Sequence, residues 1–339
     1  MTEKNTTEPR VRVRVTTSAE LLAAVPHLLG FTPEDSMVVI GTTPPQARVK
    51  LALRYDLPDP DDAADIAAHA AAIFSEQGII TIVAVGYGPA HLVTPVADAL
   101  RAAGLPLRDI LRVEGGRYWS YMCTDESCCP GEGTLYVNQP ASALPAPLAD
   151  RAALAATAAP VEGEEADAIR RAFATFTEDP PSPGGGVDAI VDAIEGYRTG
   201  HWITKPSLVA YLLFQLQQLR VRDMAWAYMD PAFNAQHVKL WTDLTRYAVP
   251  GLPAAAPASL LAFVAWQSGD GALANVALDR ALADDPRYSM AQLLRQVITA
   301  GAPPSLARLP MSPEEVAASY DEAEAGDHDE AGDEVSTDE

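Results

Sequence analysis

Residues 79–91 read IITIVAVGYGPAH. The first seven are apolar except for Thr81, and such a run bounded by turn formers predicts a strand buried on both faces. Gly86-Tyr87-Gly88-Pro89 turns the chain into a helix that runs through Ala103 and stops at Gly104. Asp109–Glu114 is the next strand. A strand–helix–strand crossover requires parallel strands, so this passage sets an α/β sheet.

The chain upstream agrees. Val11–Val15, VRVRV, alternates as a half-buried edge strand does. Ser18 is an N-cap for a helix ending at Gly30, with Pro26 bending its last turn. Ser36–Gly41 is a second buried strand, and a proline turn links it to alternating Ala47–Asp56 as an antiparallel hairpin. Asp61–Gln77 is an alanine-rich helix whose crossover leads into Ile79. Downstream, Gly115-Gly116 signals a two-residue hairpin, and Thr134–Val137 adds a short last strand. Residues 10–140 are thus expected to be a mixed, mostly parallel α/β sheet domain.

Residues 141–186 are rich in loop formers and read as a connection, with an amphipathic piece at 166–176. Residues 187–308 read as helices only. Within them AFVAWQSGDGALANVALDRALADDP pairs Trp266, a Gly269-Asp270 turn, small Ala274, Ala277 and Ala281, and a proline stop. That pattern predicts a tetratricopeptide-like helical hairpin. Residues 312–339 carry acids and no lysine or arginine beyond Glu314, so a disordered acidic tail is expected.

The formal net charge of −22 argues against a nucleic-acid partner. MTEKNTTEPR at the start has no apolar leader segment, and no apolar run is long enough to span a bilayer. A cytoplasmic protein with no membrane partner is expected.

Four passages together resemble the domain-of-unknown-function family 4192, found mostly in actinobacteria. They are PHLLGFTPEDSMVVIG (26–41), RYDLP (54–58), GGRYWSYMCTDESCCPGEG (115–133) and AWQSGDGALANVALDRAL (265–282). The resemblance spans roughly residues 18–308. Where the family pattern has two prolines after the paired cysteines, this chain has Pro130 and then Gly131. The resemblance implies no activity, so functional expectations rest on the residues.

The carboxyl ends of parallel strands are where open α/β sheets place ligands. The expected topology gathers Asp35, Arg54, Asp56, His91, Glu114 and Arg117 at that edge, with His27 one helical turn away. Asp35, Asp56 and Glu114 are acid/base candidates, and Arg54 and Arg117 are clamps for a small anionic ligand. Mutual ion pairing is the structural alternative. Gly86, Gly88 and His91 form a loop at a helix start that resembles a phosphate loop, but His91 stands where the fingerprint needs a third glycine.

All three cysteines fall in one stretch. Zinc sites use pairs two to four residues apart, whereas Cys123 is followed by four residues and then adjacent Cys128-Cys129. Side chains of neighbours on an extended backbone point apart. Thiols packed against Trp119 and Tyr121 are therefore expected; a metal on Cys123, Cys128 and Cys129, a disulfide or a reactive thiol are the alternatives.

Two functions follow. One is a non-enzymatic binding or scaffold protein, engaging a protein partner through a helical groove that includes Trp266. The alternative is a hydrolase or transferase acting on an anionic or nucleotide-like substrate at the sheet edge. The chain has no complete catalytic motif, which favours the first, and it names no cofactor.

Overall fold

The computed structural model describes residues 15–44, 48–136, 145–181, 183–306 and 311–333. Residues 11–14 of the expected VRVRV strand lie outside them, and Val15 is not in a strand. The chain divides into two compact units, Met1–Ala153 and Leu154–Glu339.

The first unit holds α1 (Ser18–Leu29), β1 (Ser36–Thr43), β2 (Arg48–Asp56), α2 (Ala63–Glu76), β3 (Thr81–Tyr87), α3 (Ala90–Ala102), β4 (Leu107–Glu114), β5 (Arg117–Ser120) and β6 (Thr134–Leu135). The N-cap of α1 is Thr17, one residue before the expected Ser18. Its hydroxyl accepts the Glu20 N–H (3.2 Å) while the Glu20 carboxylate accepts the Thr17 N–H (3.1 Å). This capping box is worth about 1 kcal/mol.

The six strands are ordered β2-β1-β3-β4-β5-β6. As the crossovers require, β2, β3 and β4 run the same way. β1, however, lies between β2 and β3 and is antiparallel to both. The mixed α/β class holds, but mostly parallel pairing does not: among the described strands only β3–β4 is parallel. β1 pairs with β2 along one edge and uses its second edge to pair with β3. β3 also begins two residues late: Gly78 follows α2 in a left-handed conformation (φ 63°), and Ile80, 51 % exposed, touches the sheet only through its N–H to the Thr42 carbonyl (3.1 Å).

The core lies where α2 and α3 cover one sheet face. Met37, Val39, Ile82, Ala84 and Ile110 cluster there with Ala67, Ala70 and Phe74 of α2 and Val93, Val96 and Leu100 of α3. Val38, Ile40, Val85 and Leu111, which alternate to the other face, are buried as well. The helices sit very close to the strands. A Cβ on Gly41 would come within 2.7 Å of the Phe74 ring, and one on Gly86 within 2.4 Å of Val93.

Helices α4 (Arg151–Ala156), α5 (Gly163–Glu178), α6 (Gly186–Arg198), α7 (Pro206–Gln215), α8 (Leu219–Ala227), α9 (Asn234–Tyr247), α10 (Ala255–Gln267), α11 (Gly271–Asp284), α12 (Ser289–Thr299) and α13 (Pro313–Asp333) follow. The unit boundary falls in α4. Helix α5, read from sequence as connection, packs on α7 through Phe173 and Phe176 against Phe214. The helical unit therefore begins earlier than residue 187.

α10 and α11 form the expected hairpin. Gly269 turns it (φ 86°) and the Asp270 carboxylate caps the Leu273 N–H (2.9 Å). Every residue of α10 from Ala255 to Trp266 is buried. His237 of α9 is buried too; its Nε2 accepts the Asp230 N–H (3.2 Å), and burial together with Arg198 lowers its pKa to about 4.

The start of the acidic tail departs from expectation. Over residues 313–322 it is a docked helix. Val316 is buried, the Tyr320 hydroxyl donates to Asp223 (2.6 Å) and Asp321 pairs with Arg220 (2.7 Å). Val316 and Tyr320, one turn apart, give α13 an apolar stripe, and α8 supplies the balancing cation. Among the described residues no helix is long and apolar enough to cross a membrane.

Candidate functional site

Sheet register places the candidate edge. Ser36, at the start of β1, sits opposite Asp56 at the end of β2 and Tyr87 at the end of β3; Tyr87 sits opposite Val113 of β4. A pocket of about 510 Å³ opens there. Its wall is built by the turn before β1 (Glu34, Asp35), the turn after β3 (Gly88, Pro89) and the β4–β5 hairpin (Glu114–Gly116).

These turns need unusual backbone conformations. Asp35 has φ 41° and is the one non-glycine residue at positive φ among the described residues. Aspartate tolerates this region better than most residues, yet the conformation still carries strain, and such strain concentrates at functional sites. Its carbonyl accepts the Leu57 N–H (2.8 Å). Next to it the buried Ser36 hydroxyl donates to the Glu34 carbonyl and accepts Arg54 Nε (3.0 Å), which fixes the turn. Gly88 has φ 145°, and a Cβ on it would lie 2.8 Å from Leu57 and 3.5 Å from Asp35 Oδ1. Gly115 (φ 57°) and Gly116 (φ 73°) make the hairpin turn, in which both central residues need positive φ.

Glu34, Asp35 and Glu114 line the pocket, and among the described residues no lysine or arginine does. Glu114 is partly neutralised from outside by Arg112, whose guanidinium stacks 3.7 Å from the Trp119 ring centre. Tyr87 and Tyr136 add phenols. Burial pushes the Tyr136 pKa up to about 12; burial first, and then Tyr136, raise that of Tyr87, so both stay protonated at neutral pH. The Tyr87 hydroxyl is buried and has no hydrogen-bond partner among the described residues. A buried hydroxyl without a partner costs about 1–3 kcal/mol unless something else satisfies it.

Of the residues expected at this edge, the structure brings Asp35, Gly88 and Glu114 to the pocket. Arg54 is turned away, paired with Asp56 (2.6 Å) and Ser36 and lying 5.9 Å from the centre of the Phe31 ring. Asp56 projects into solvent. Gly86 serves the packing of Val93, and His91 is exposed on α3, outside the lining. Arg117 donates to the Gly133 carbonyl (2.7 Å), holding the loop after β5. His27 Nδ1 faces the Pro145 carbonyl (3.0 Å) and its buried Nε2 has no partner among the described residues, but His27 is not in the lining. Trp266 is 6 % exposed and donates to the Ala302 carbonyl (3.2 Å), so it belongs to the helical core and cannot face a partner. Beyond the constellation read from sequence, the lining adds Glu34, next to Asp35, and the phenols Tyr87 and Tyr136. Tyr87 had a signal, being the aromatic between two glycines at the end of the central strand. Tyr136, just past β6, had none.

The cysteines sit at the opposite end of the β4–β5 ladder. The Ser120 hydroxyl donates to Asp109 (2.7 Å) and accepts the Cys123 N–H (3.1 Å). The sequence expectation of divergent thiols on an extended backbone does not hold. Cys128 and Cys129 lie on a turn in which both N–H groups reach the Asp125 carbonyl (3.2 and 2.8 Å). Cys123 Sγ is 3.1 Å from Cys128 Sγ, and Cys128 Sγ is 3.6 Å from Cys129 Sγ. Hydrogen bonding from Cys128 and Cys129 lowers the Cys123 thiol pKa, while the contact with Cys123 raises Cys128 and pushes Cys129 up to about 12. Nor do Trp119 and Tyr121 bury these thiols together. Tyr121 packs into the α/β core, its hydroxyl bonded to Thr94 (2.8 Å), and Trp119 Nε1 donates to the Gly131 carbonyl (3.0 Å).

A protein-family model, the domain of unknown function DUF4192, matches residues 19–305. That is most of the chain, which therefore belongs to this family. No curated protein and no solved structure matches it.

Proposed function

We propose that this member of the DUF4192 family is a binding protein for a small cationic molecule carrying an amine, held at the edge pocket of its α/β unit. One observation carries the reading: a pocket of about 510 Å³ lined by Glu34, Asp35 and Glu114 and, among the described residues, by no basic side chain. The volume falls in the range of small-molecule sites. Ammonium–carboxylate hydrogen bonds are worth about 1.5–3 kcal/mol each. The buried Tyr87 hydroxyl, which has no hydrogen-bond partner among the described residues, supplies a further polar group. The net charge of −22 draws cations over longer distances. An anionic or nucleotide-like substrate would need the arginine clamps, and both are engaged elsewhere, Arg54 with Asp56 and Arg117 with Gly133.

Calorimetry at low salt tests this with a panel of diamines and polyamines beside nucleotides and inorganic phosphate. Saturable amine binding that weakens about tenfold, or about 1.4 kcal/mol, in Asp35→Asn is expected. Binding of the nucleotides and not the amines would overturn the reading.

A protein partner is the second reading, and it moves to α12. There Leu293 (61 % exposed) and Val297 (36 % exposed) stand one turn apart on the outer face. Retention of a partner by the wild type and its loss in Leu293→Glu would support that reading.

A further inference from the structure

We infer that Cys123, Cys128 and Cys129 form a three-thiolate site for one zinc ion, separate from the edge pocket. The three sulfurs all lie within 4.8 Å of one another. The two shorter separations are 3.1 and 3.6 Å. Zinc–thiolate bonds of about 2.3 Å in tetrahedral geometry place sulfurs about 3.8 Å apart. The cluster therefore approaches one face of a zinc tetrahedron, and side-chain χ rotations that move sulfurs by up to about 1 Å complete it.

The loop is built to hold this convergence. The Asp125 carbonyl takes the N–H groups of both Cys128 and Cys129 and so turns two adjacent thiols toward Cys123. Both ends of the loop are braced. Ser120 fixes the Cys123 N–H at the entry; Trp119 holds the Gly131 carbonyl and Arg117 the Gly133 carbonyl at the exit. At Gly133 (φ 81°) even a methyl group would strike Trp119, 2.5 Å away. A loop braced on this scale keeps its side chains in place, yet it buries none of the sulfurs. Cys128 is exposed, and Cys123 and Cys129 are only half-buried. Core packing thus does not explain why three soft donors are gathered at one surface point. No histidine or carboxylate joins the group among the described residues. The ion would take three protein ligands and leave its fourth position to an exogenous ligand, the pattern of zinc sites that bind or activate something.

The test uses the full chain, purified reduced, stripped with chelator, reloaded with zinc and desalted. Elemental analysis is expected to give about one zinc per chain in the wild type and none in Cys123→Ser, Cys128→Ser or Cys129→Ser, with circular dichroism unchanged. Cobalt loading of the wild type supplies a readout that does not depend on the variants folding. Intense thiolate-to-cobalt charge-transfer absorption with tetrahedral d–d bands is expected. The inference is overturned if the reduced, folded wild type keeps no zinc and shows no such bands. Zinc retained by the serine variants, or a Cys123–Cys128 disulfide forming in place of uptake, also overturns it.

Discussion

The β4–β5 ladder carries chemistry at both ends, and the two ends are made differently. At the hairpin end, Glu114 to Arg117, the distinctive feature is backbone: Asp35 at φ 41°, Gly88 at φ 145° and two hairpin glycines at positive φ. The side chains there are ordinary carboxylates and phenols. At the Ser120 end the distinctive feature is side chain: three thiols gathered by a turn around one carbonyl. Ser120 pairs with Leu111, three residues from Glu114, so the ends stand roughly 10 Å apart along the strands. The backbone of the hairpin end survives a side-chain change that suits positive φ, even where the carboxylate it removes is needed for binding. A composition-made site fails with any one donor.

The strongest way to break this contrast is Gly133→Ala. Positive φ and the collision with Trp119 together predict a loss of about 2–4 kcal/mol of stability in urea unfolding. Metal retention should go with it, while amine binding at the other end persists. Loss of both would make the two ends one cooperative unit. A smaller effect separates backbone from charge at Asp35. Asp35→Ala should cost about 1–2 kcal/mol of stability, because alanine does not suit positive φ, whereas Asp35→Asn should cost almost none. Both should weaken the amine. Equal stability of the two variants would show that the conformation at Asp35 is not strained.

The same contrast explains what could be read from sequence. The edge itself was legible, because the crossovers through α2 and α3 orient β2, β3 and β4 and put Asp35, Gly88 and Glu114 on one side. The insertion of β1 between β2 and β3 was not, since a hairpin signal fixes one pairing and leaves the other edge of the strand open. Arg54 and Arg117 lie at this edge but bond Asp56, Ser36 and the Gly133 carbonyl; a residue's height on a strand does not say which neighbour takes its hydrogen bonds. Period-2 alternation does not govern the thiols, because Cys128 and Cys129 lie on a turn. Trp266 was read as a groove residue, but α10 is buried on every side. The docking of α13 through Val316 and Tyr320 was hidden under its overall acidity.

The central claim is that the edge pocket recognises positive charge. Amide resonances of isotope-labelled protein report on it directly, because Gly88, Gly115 and Gly116 all line the pocket. Titration with a diamine should shift these three glycines saturably and leave Cys128 and Cys129 unmoved, and phosphate should shift none of them. Glycine shifts produced by phosphate and not by the diamine would contradict the account.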